Sequence, residues 1–129
     1  MSDVFKPPIG SIGWCDLTVP GADAVRDFYR GVVGWTATDV DMGGYSDYVM
    51  SLPGEGTPAT GICWARGVNT NLPPVWLVYF VVASVDKSLA EVKKRGGTVL
   101  REPASSGGGR FAVVRDPAGA VCALYENGD

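Results

Sequence analysis

Histidine is absent from the 129 residues. That removes the commonest metal ligand and the commonest neutral-pH acid or base, and leaves carboxylates, Tyr, Lys, Arg and Cys for any chemistry. No apolar run approaches the ~20 residues of a membrane-spanning helix. The net charge is −3 and no block or stripe of basic residues interrupts it. Neither nucleic acid nor a membrane is therefore expected as a partner. The opening MSDVFKPPIG has no charged n-region and no apolar h-region, so no secretion signal is expected there. Cysteine is scarce and odd in number, Cys15, Cys63 and Cys122, each in a strand-like segment. These read as reduced, buried, small apolar side chains, with the cytoplasm as the expected location. The length suits one domain, 1–129, able to bury about two-thirds of its unfolded surface without staples.

What is present is a repeat. Residues 13–35, GWCDLTVPGADAVRDFYRGVVGW, read as strand, turn, helix, stop. Ile12, Trp14 and Asp16 share one strand face by period two, and Cys15, Leu17 and Val19 share the other. Pro20-Gly21 breaks the strand. Asp23 is placed to cap the helix that follows. Val25, Phe28, Tyr29, Val32 and Val33 recur at helical spacing, and Gly34 ends the run. Residues 74–97, PVWLVYFVVASVDKSLAEVKKRGG, repeat the plan, with Asp86 in the place of Asp23. A shift of 63 maps Pro20–Asp23 onto Ala83–Asp86, and with them Trp14 onto Leu77 and Asp16 onto Tyr79. Two related halves are an architectural signal.

In order, residues 1–9 read as an irregular lead-in. A strand at 11–19 and a helix at 23–33 follow, then strands at 35–42, 45–52 and 59–65. Gly43-Gly44 and Pro53–Gly56 mark turns. The polar stretch 66–74 separates a first module, about 11–66, from a second, about 75–126. The second has a strand at 75–82, a helix at 86–95 and a short strand at 98–102. Residues 103–109, PASSGGG, read as a mobile loop that lacks the Lys and following helix of a phosphate loop. Strands at 110–115 and 121–125 close the module around an Asp116-Pro117-Ala118-Gly119 turn. The predicted fold class is α+β: two βαβββ modules with curved mixed sheets, helices covering one face of each and leaving the other as a cup.

The repeat, the FYRGVVGW run at 28–35 and the DPAGAVCAL run at 116–124 resemble the vicinal oxygen chelate superfamily. This group holds the glyoxalases, bleomycin-resistance proteins and extradiol dioxygenases. Within it the chain looks most like single-domain glyoxalase-like, bleomycin-resistance-like and hydroxylase-like members. The resemblance covers about Ile12 to Glu126. It implies paired modules, a cupped cavity, a small-molecule ligand and frequent homodimerisation. It also implies a divalent metal held by His or Gln on the first strand of each half and Glu on the last. Carried over, those positions fall on Trp14, Leu77 and Ala123, with a fourth near Cys63 or Trp64. None is a His or carboxylate, so no metal and no cofactor are expected.

The expected ligand-binding set starts from those positions. Trp14 is an aromatic wall for a flat ligand, or a core plug. Asp16 is a pocket carboxylate, or half of an ion pair with an Arg. Tyr79 offers a phenol to the ligand, or bonds to backbone. Leu77 and Ala123 complete the lining, with Trp64 and Tyr125 as further candidates, whereas Trp76 faces away from Leu77 and the cup. Tyr48 and Met50 share one face of their strand, as a pocket wall or as ordinary packing. Arg110 clamps a ligand carboxylate, or pairs with Asp16. No catalytic residue is assigned. The expected function is metal-free sequestering or carriage of a partly aromatic small molecule. The alternative is a metal-independent isomerase, lyase or hydroxylase-like tailoring enzyme using Asp16, Tyr79 or Arg110.

Overall fold

The computed structural model describes residues 6–106 and 108–128. The chain divides into two compact units, residues 15–76 and residues 77–128 with the segment leading up to Trp14.

The first unit takes strand β1 (Ile12–Val19) from Cys15 onward, then helix α1 (Ala22–Val32) and strands β2 (Thr36–Asp41), β3 (Ser46–Ser51) and β4 (Pro58–Trp64). Its strands lie in the order β2-β3-β4-β1. β1 pairs parallel to β4, and β2–β3 and β3–β4 pair antiparallel. The alternation predicted for β1 sends Leu17 and Val19 to the α1 side, where they join Ala22, Tyr48, Met50 and Ile62 in a buried cluster. Tyr29, Trp35 and Trp76 pack beside it. Tyr29 and Trp76 meet edge to face at 5.1 Å between centroids, and the Trp76 indole N–H donates to the Tyr29 hydroxyl at 3.2 Å. Burying these aromatic bodies while satisfying the indole is what ties Trp76 to α1.

The start of α1 differs from the expected cap. Gly21 is the capping residue, in the left-handed region at φ 69°, with no side-chain cap. Its carbonyl accepts from the Ala24 and Val25 N–H groups at 3.1 and 3.2 Å. Asp23 lies inside the first turn, where its carboxylate accepts only from the adjacent Ala24 N–H and complements the helix dipole.

The second unit runs β5 (Trp76–Val81), α2 (Val85–Lys94), β6 (Thr98–Ser106), β7 (Gly109–Arg115) and β8 (Val121–Glu126). Its order, β5-β8-β7-β6, repeats the first unit's. Its pairing senses repeat too: β5 parallel to β8, the rest antiparallel. The α+β reading with two βαβββ modules is thus correct. Val85 and Leu89 of α2 pack on Ala112, Val114, Val99, Cys122 and Leu124. Here Ser84, not Asp86, is the cap, its Oγ accepting from the Lys87 N–H at 3.2 Å. Glu126 accepts from the Val85 N–H at 2.9 Å.

One further expectation is corrected. The stretch read as a mobile loop at 103–109 is strand through Ser106 and again from Gly109, although Gly107 lies outside the described residues. Register shifts between Val99 and Arg101 and between Arg101 and Ala104 accommodate Pro103. A residue without an N–H is tolerated there because β6 ends the order and bulges free its neighbours from the ladder. Residues 6–9 form no helix or strand, as expected of the lead-in, and the segment is tied down by hydrogen bonds. Gly10 N–H donates to the Val81 carbonyl at 2.7 Å and Val81 N–H to Ser11 at 2.9 Å, while the Asn127 side chain donates to Pro7 at 3.0 Å.

Candidate functional site

In the second unit, α2 covers one sheet face, so alternation sends Leu77, Tyr79, Phe111, Val113, Ala123 and Tyr125 to the other. Register sets Ala123 beside both Tyr79 and Val113, and Phe111 beside Tyr125. The Tyr79 and Phe111 rings lie 5.6 Å apart, tilted by 48°. Leu77 and Ala123 are buried, forming an apolar floor, and Tyr79 and Tyr125 are half-buried. Gly109 makes room for one of them: a Cβ there would sit 2.5 Å from the Tyr125 hydroxyl. Four of the predicted ligand-binding residues, Leu77, Tyr79, Ala123 and Tyr125, are thus brought together.

Arg101 joins them, and the sequence reading missed it. It stands opposite Val113 in the β6–β7 register, and its guanidinium carbon lies 4.5 Å from the Phe111 ring centroid. Its Nε and Nη1 atoms are buried without a hydrogen-bond partner. Burial pushes the guanidinium below its ordinary value, and the Tyr79 phenol opposes that shift. Arginine stays charged under such a perturbation. Each buried donor left unmade costs about 1–3 kcal/mol or more, so the position is expensive unless something accepts from it. Arg101 lies between two register shifts, and no period-two count from either side reads through them.

The first unit divides its predicted residues differently. Asp16 sits on the face of β1 away from α1, whereas Trp14, two residues earlier on the strand, belongs to the other unit. Trp14 is 37% exposed, too open to be a core plug. Asp16 stands opposite Gly61 in register and acts with Asp47 on Cys63. Burial first, then these two carboxylates, push the Cys63 thiol far up. Cys15 is also raised, mainly by burial, with a Thr60 hydrogen bond opposing. Tyr48, Met50 and Trp64 lie on the α1 side instead. Met50 is fully buried and Tyr48 nearly so. The Trp64 indole donates to the Ser46 carbonyl at 3.0 Å. Tyr48 and Trp64 also border a groove of roughly 600 Å³ with Asp39, Tyr45 and Arg66.

Arg110 does not reach Asp16. It grips Asp86 with two bonds of 3.1 and 3.2 Å and lies 4.0 Å from Glu126. Hydrogen bonding to Arg110 holds the Asp86 carboxyl below its usual range. Arg110 is therefore a strut between β7 and the first turn of α2, on the face opposite Tyr79.

The metal positions implied by the resemblance need one adjustment. Tyr79 pairs with Ala123 as Asp16 pairs with Gly61. The counterpart of Ala123 is thus Gly61, two residues before Cys63. Trp14, Gly61, Leu77 and Ala123 offer no side-chain lone pair to a divalent ion. Among the described residues, no three His, Cys, Asp or Glu side chains come together as an ion site. These residues do not fit the family's metal.

Comparison with known proteins agrees with this architecture. The chain is 36% identical to the anthracycline biosynthesis protein DnrV of Streptomyces peucetius, over 91% of this chain and 42% of that protein. It is 34% identical to the anthracycline biosynthesis protein DauV of Streptomyces sp. (strain C5), over 96% of this chain and 49% of that protein. The chain thus spans less than half the length of these curated relatives. A methylmalonyl-CoA epimerase of Streptomyces coelicolor shares the fold at a TM-score of 0.59 and 19% identity, over 95% of this chain and 100% of that one. Another methylmalonyl-CoA epimerase structure gives 0.58 and 21%, over 93% and 96%. Residues 11–124 match the model of the Glyoxalase/Bleomycin resistance protein/Dioxygenase superfamily, and the chain belongs to that superfamily.

Proposed function

We propose that this domain binds a small, partly aromatic molecule without a metal, and that the face of β5–β8 turned away from α2 supplies part of the site. The observation that carries this is the Tyr79–Phe111–Arg101 row, two rings and a cation at 5.6 and 4.5 Å over an apolar floor. Such a row recognises flat rings through stacking and cation–π contact. The two Streptomyces relatives are named for anthracycline biosynthesis, which suits a flat, ring-containing ligand. The test is a thermal-shift and fluorescence-quenching screen of anthraquinones and smaller aromatics. Saturable binding that raises Tm is expected, since a ligand of the native state stabilises it by mass action. Phe111→Ala should weaken that binding while circular dichroism still reports the fold. No binding by any compound up to its solubility limit overturns the reading. Recovery of a converted compound would put the metal-independent enzyme, with Asp16 or Tyr79 as its acid or base, ahead of the carrier.

We also propose that the working form is a cytoplasmic homodimer. Phe28 and Val32, one helical turn apart on α1, are 58% and 64% exposed, and an apolar stripe of this kind is commonly covered by a symmetric partner. No helix among the described residues is long and apolar enough to cross a membrane. Light scattering that shows a monomer at tens of micromolar (an order of magnitude for ordinary interfaces) would count against the dimer.

A further inference from the structure

We propose that the aromatic ligand carries an oxyanion on its ring system, a carboxylate or an ionised phenol, and that Arg101 is the residue that receives it. This rests on the small-molecule reading above and goes beyond it by fixing the ligand's charge and the atoms that read it.

Three observations converge on Arg101. Its Nε and Nη1 are buried and have no hydrogen-bond partner. Its guanidinium lies 4.5 Å from the Phe111 ring centroid, so the plane that a ligand ring would share is already occupied by a protein ring on one side. Its register partner Val113 stands next to Ala123, which stands next to Tyr79, so the charge faces the same apolar floor as the phenol. The other arginines for which a partner is described differ. Arg26, Arg30, Arg95 and Arg110 hold carboxylates, and Arg66 stacks on Tyr45 with its guanidinium carbon 3.8 Å from the ring centroid.

The chemistry follows from the donor set. A guanidinium only donates, so whatever completes it must accept. An oxyanion accepts more strongly than a neutral carbonyl because the bond is charge-assisted, and more so where water is excluded. A cationic ligand is repelled at the same place. Stacking on Phe111 and Tyr79 selects for a ring, and Arg101 selects for the acid borne on it.

Three probes separate the outcomes: anthraquinone-2-carboxylate, 2-hydroxyanthraquinone titrated across its own ionisation, and the neutral anthraquinone-2-carboxamide. Titration of the wild-type protein should give the carboxylate, or the ionised phenol, roughly ten- to a hundredfold tighter binding than the carboxamide, the scale of one charge-assisted bond. Whichever of the two acids is favoured names the source of the oxyanion. Arg101→Met removes the donors while keeping an unbranched apolar side chain, and should erase that preference, so that the acids bind no tighter than the carboxamide. Arg101→Lys should restore only part of it, because the ammonium lacks the planar donor array. Equal wild-type affinity for acid and amide overturns the assignment of Arg101 and leaves the aromatic site standing. Failure of all three probes to bind overturns the small-molecule reading itself. The wild-type comparison needs no variant, so misfolding of Arg101→Met leaves the proposal open to refutation.

Discussion

Cys63 shows how position sets the reactivity of a single residue. All three thiols are free, and burial raises each. Cys63 is moved furthest, chiefly by desolvation, with Asp16 and Asp47 adding negative charge. A raised thiol stays protonated and is a poor nucleophile at neutral pH. The sign for stability follows. The unfolded thiol ionises near ~8.5, while the folded one still holds its proton. The contribution to stability is complete below that pH and is lost as pH rises toward the folded value, at up to about 1.4 kcal/mol per pH unit for each thiol. Denaturant titrations between pH 8 and 10 should therefore show stability falling, with a shallower slope in Cys63→Ala. An unchanged slope would mean that the thiol is already open to water. Cys63 should also resist alkylation in the native protein and react once unfolded.

At the scale of elements, the two helices start differently although their sequences align. α2 has a Ser84 side chain on the Lys87 N–H, and α1 has only glycine geometry at Gly21. Removing the hydroxyl in Ser84→Ala should cost about 1 kcal/mol, the usual worth of such a cap. Asp23→Ala should cost less, because that carboxylate contributes only a dipole contact and one local bond. Chemical denaturation of both variants checks the ranking, and the reverse order would restore Asp23 as the cap. The same scale explains the misread loop. Ser105 and Ser106 pair with Arg110 and Gly109, so a stretch rich in turn-forming residues is held as strand by cross-strand bonding. Local composition signals what a segment tolerates, and the partner strand decides what it does.

At the scale of the whole molecule, the family fold is kept while its metal positions carry Trp14, Gly61, Leu77 and Ala123. Elemental analysis of purified protein should find no stoichiometric zinc, iron, manganese or nickel. Chelator should change neither Tm nor ligand affinity. One equivalent of such a metal, lost together with function on chelation, would mean that donors outside these four positions hold it and that the enzyme reading leads.

The sequence by itself determined the two modules and the element order. Period-two and helical spacing, turn residues and residue identity are local properties, and they survive without a partner in view. It also placed Leu77, Tyr79, Ala123 and Tyr125 on a common face, because the strands that carry them are regular. The tertiary structure decided the rest. Tyr48 and Met50 went to the helix side because the β3–β4 register pairs Tyr48 with Ile62, which is buried in the α1 cluster with both of them. Arg110 went to Asp86 because a neighbouring helix turn offered a carboxylate. Arg101 reached the aromatic face only because the register shifts of β6 reset its parity. Which face a side chain takes beyond a bulge, and which charge it meets there, are long-range facts that no local pattern encodes.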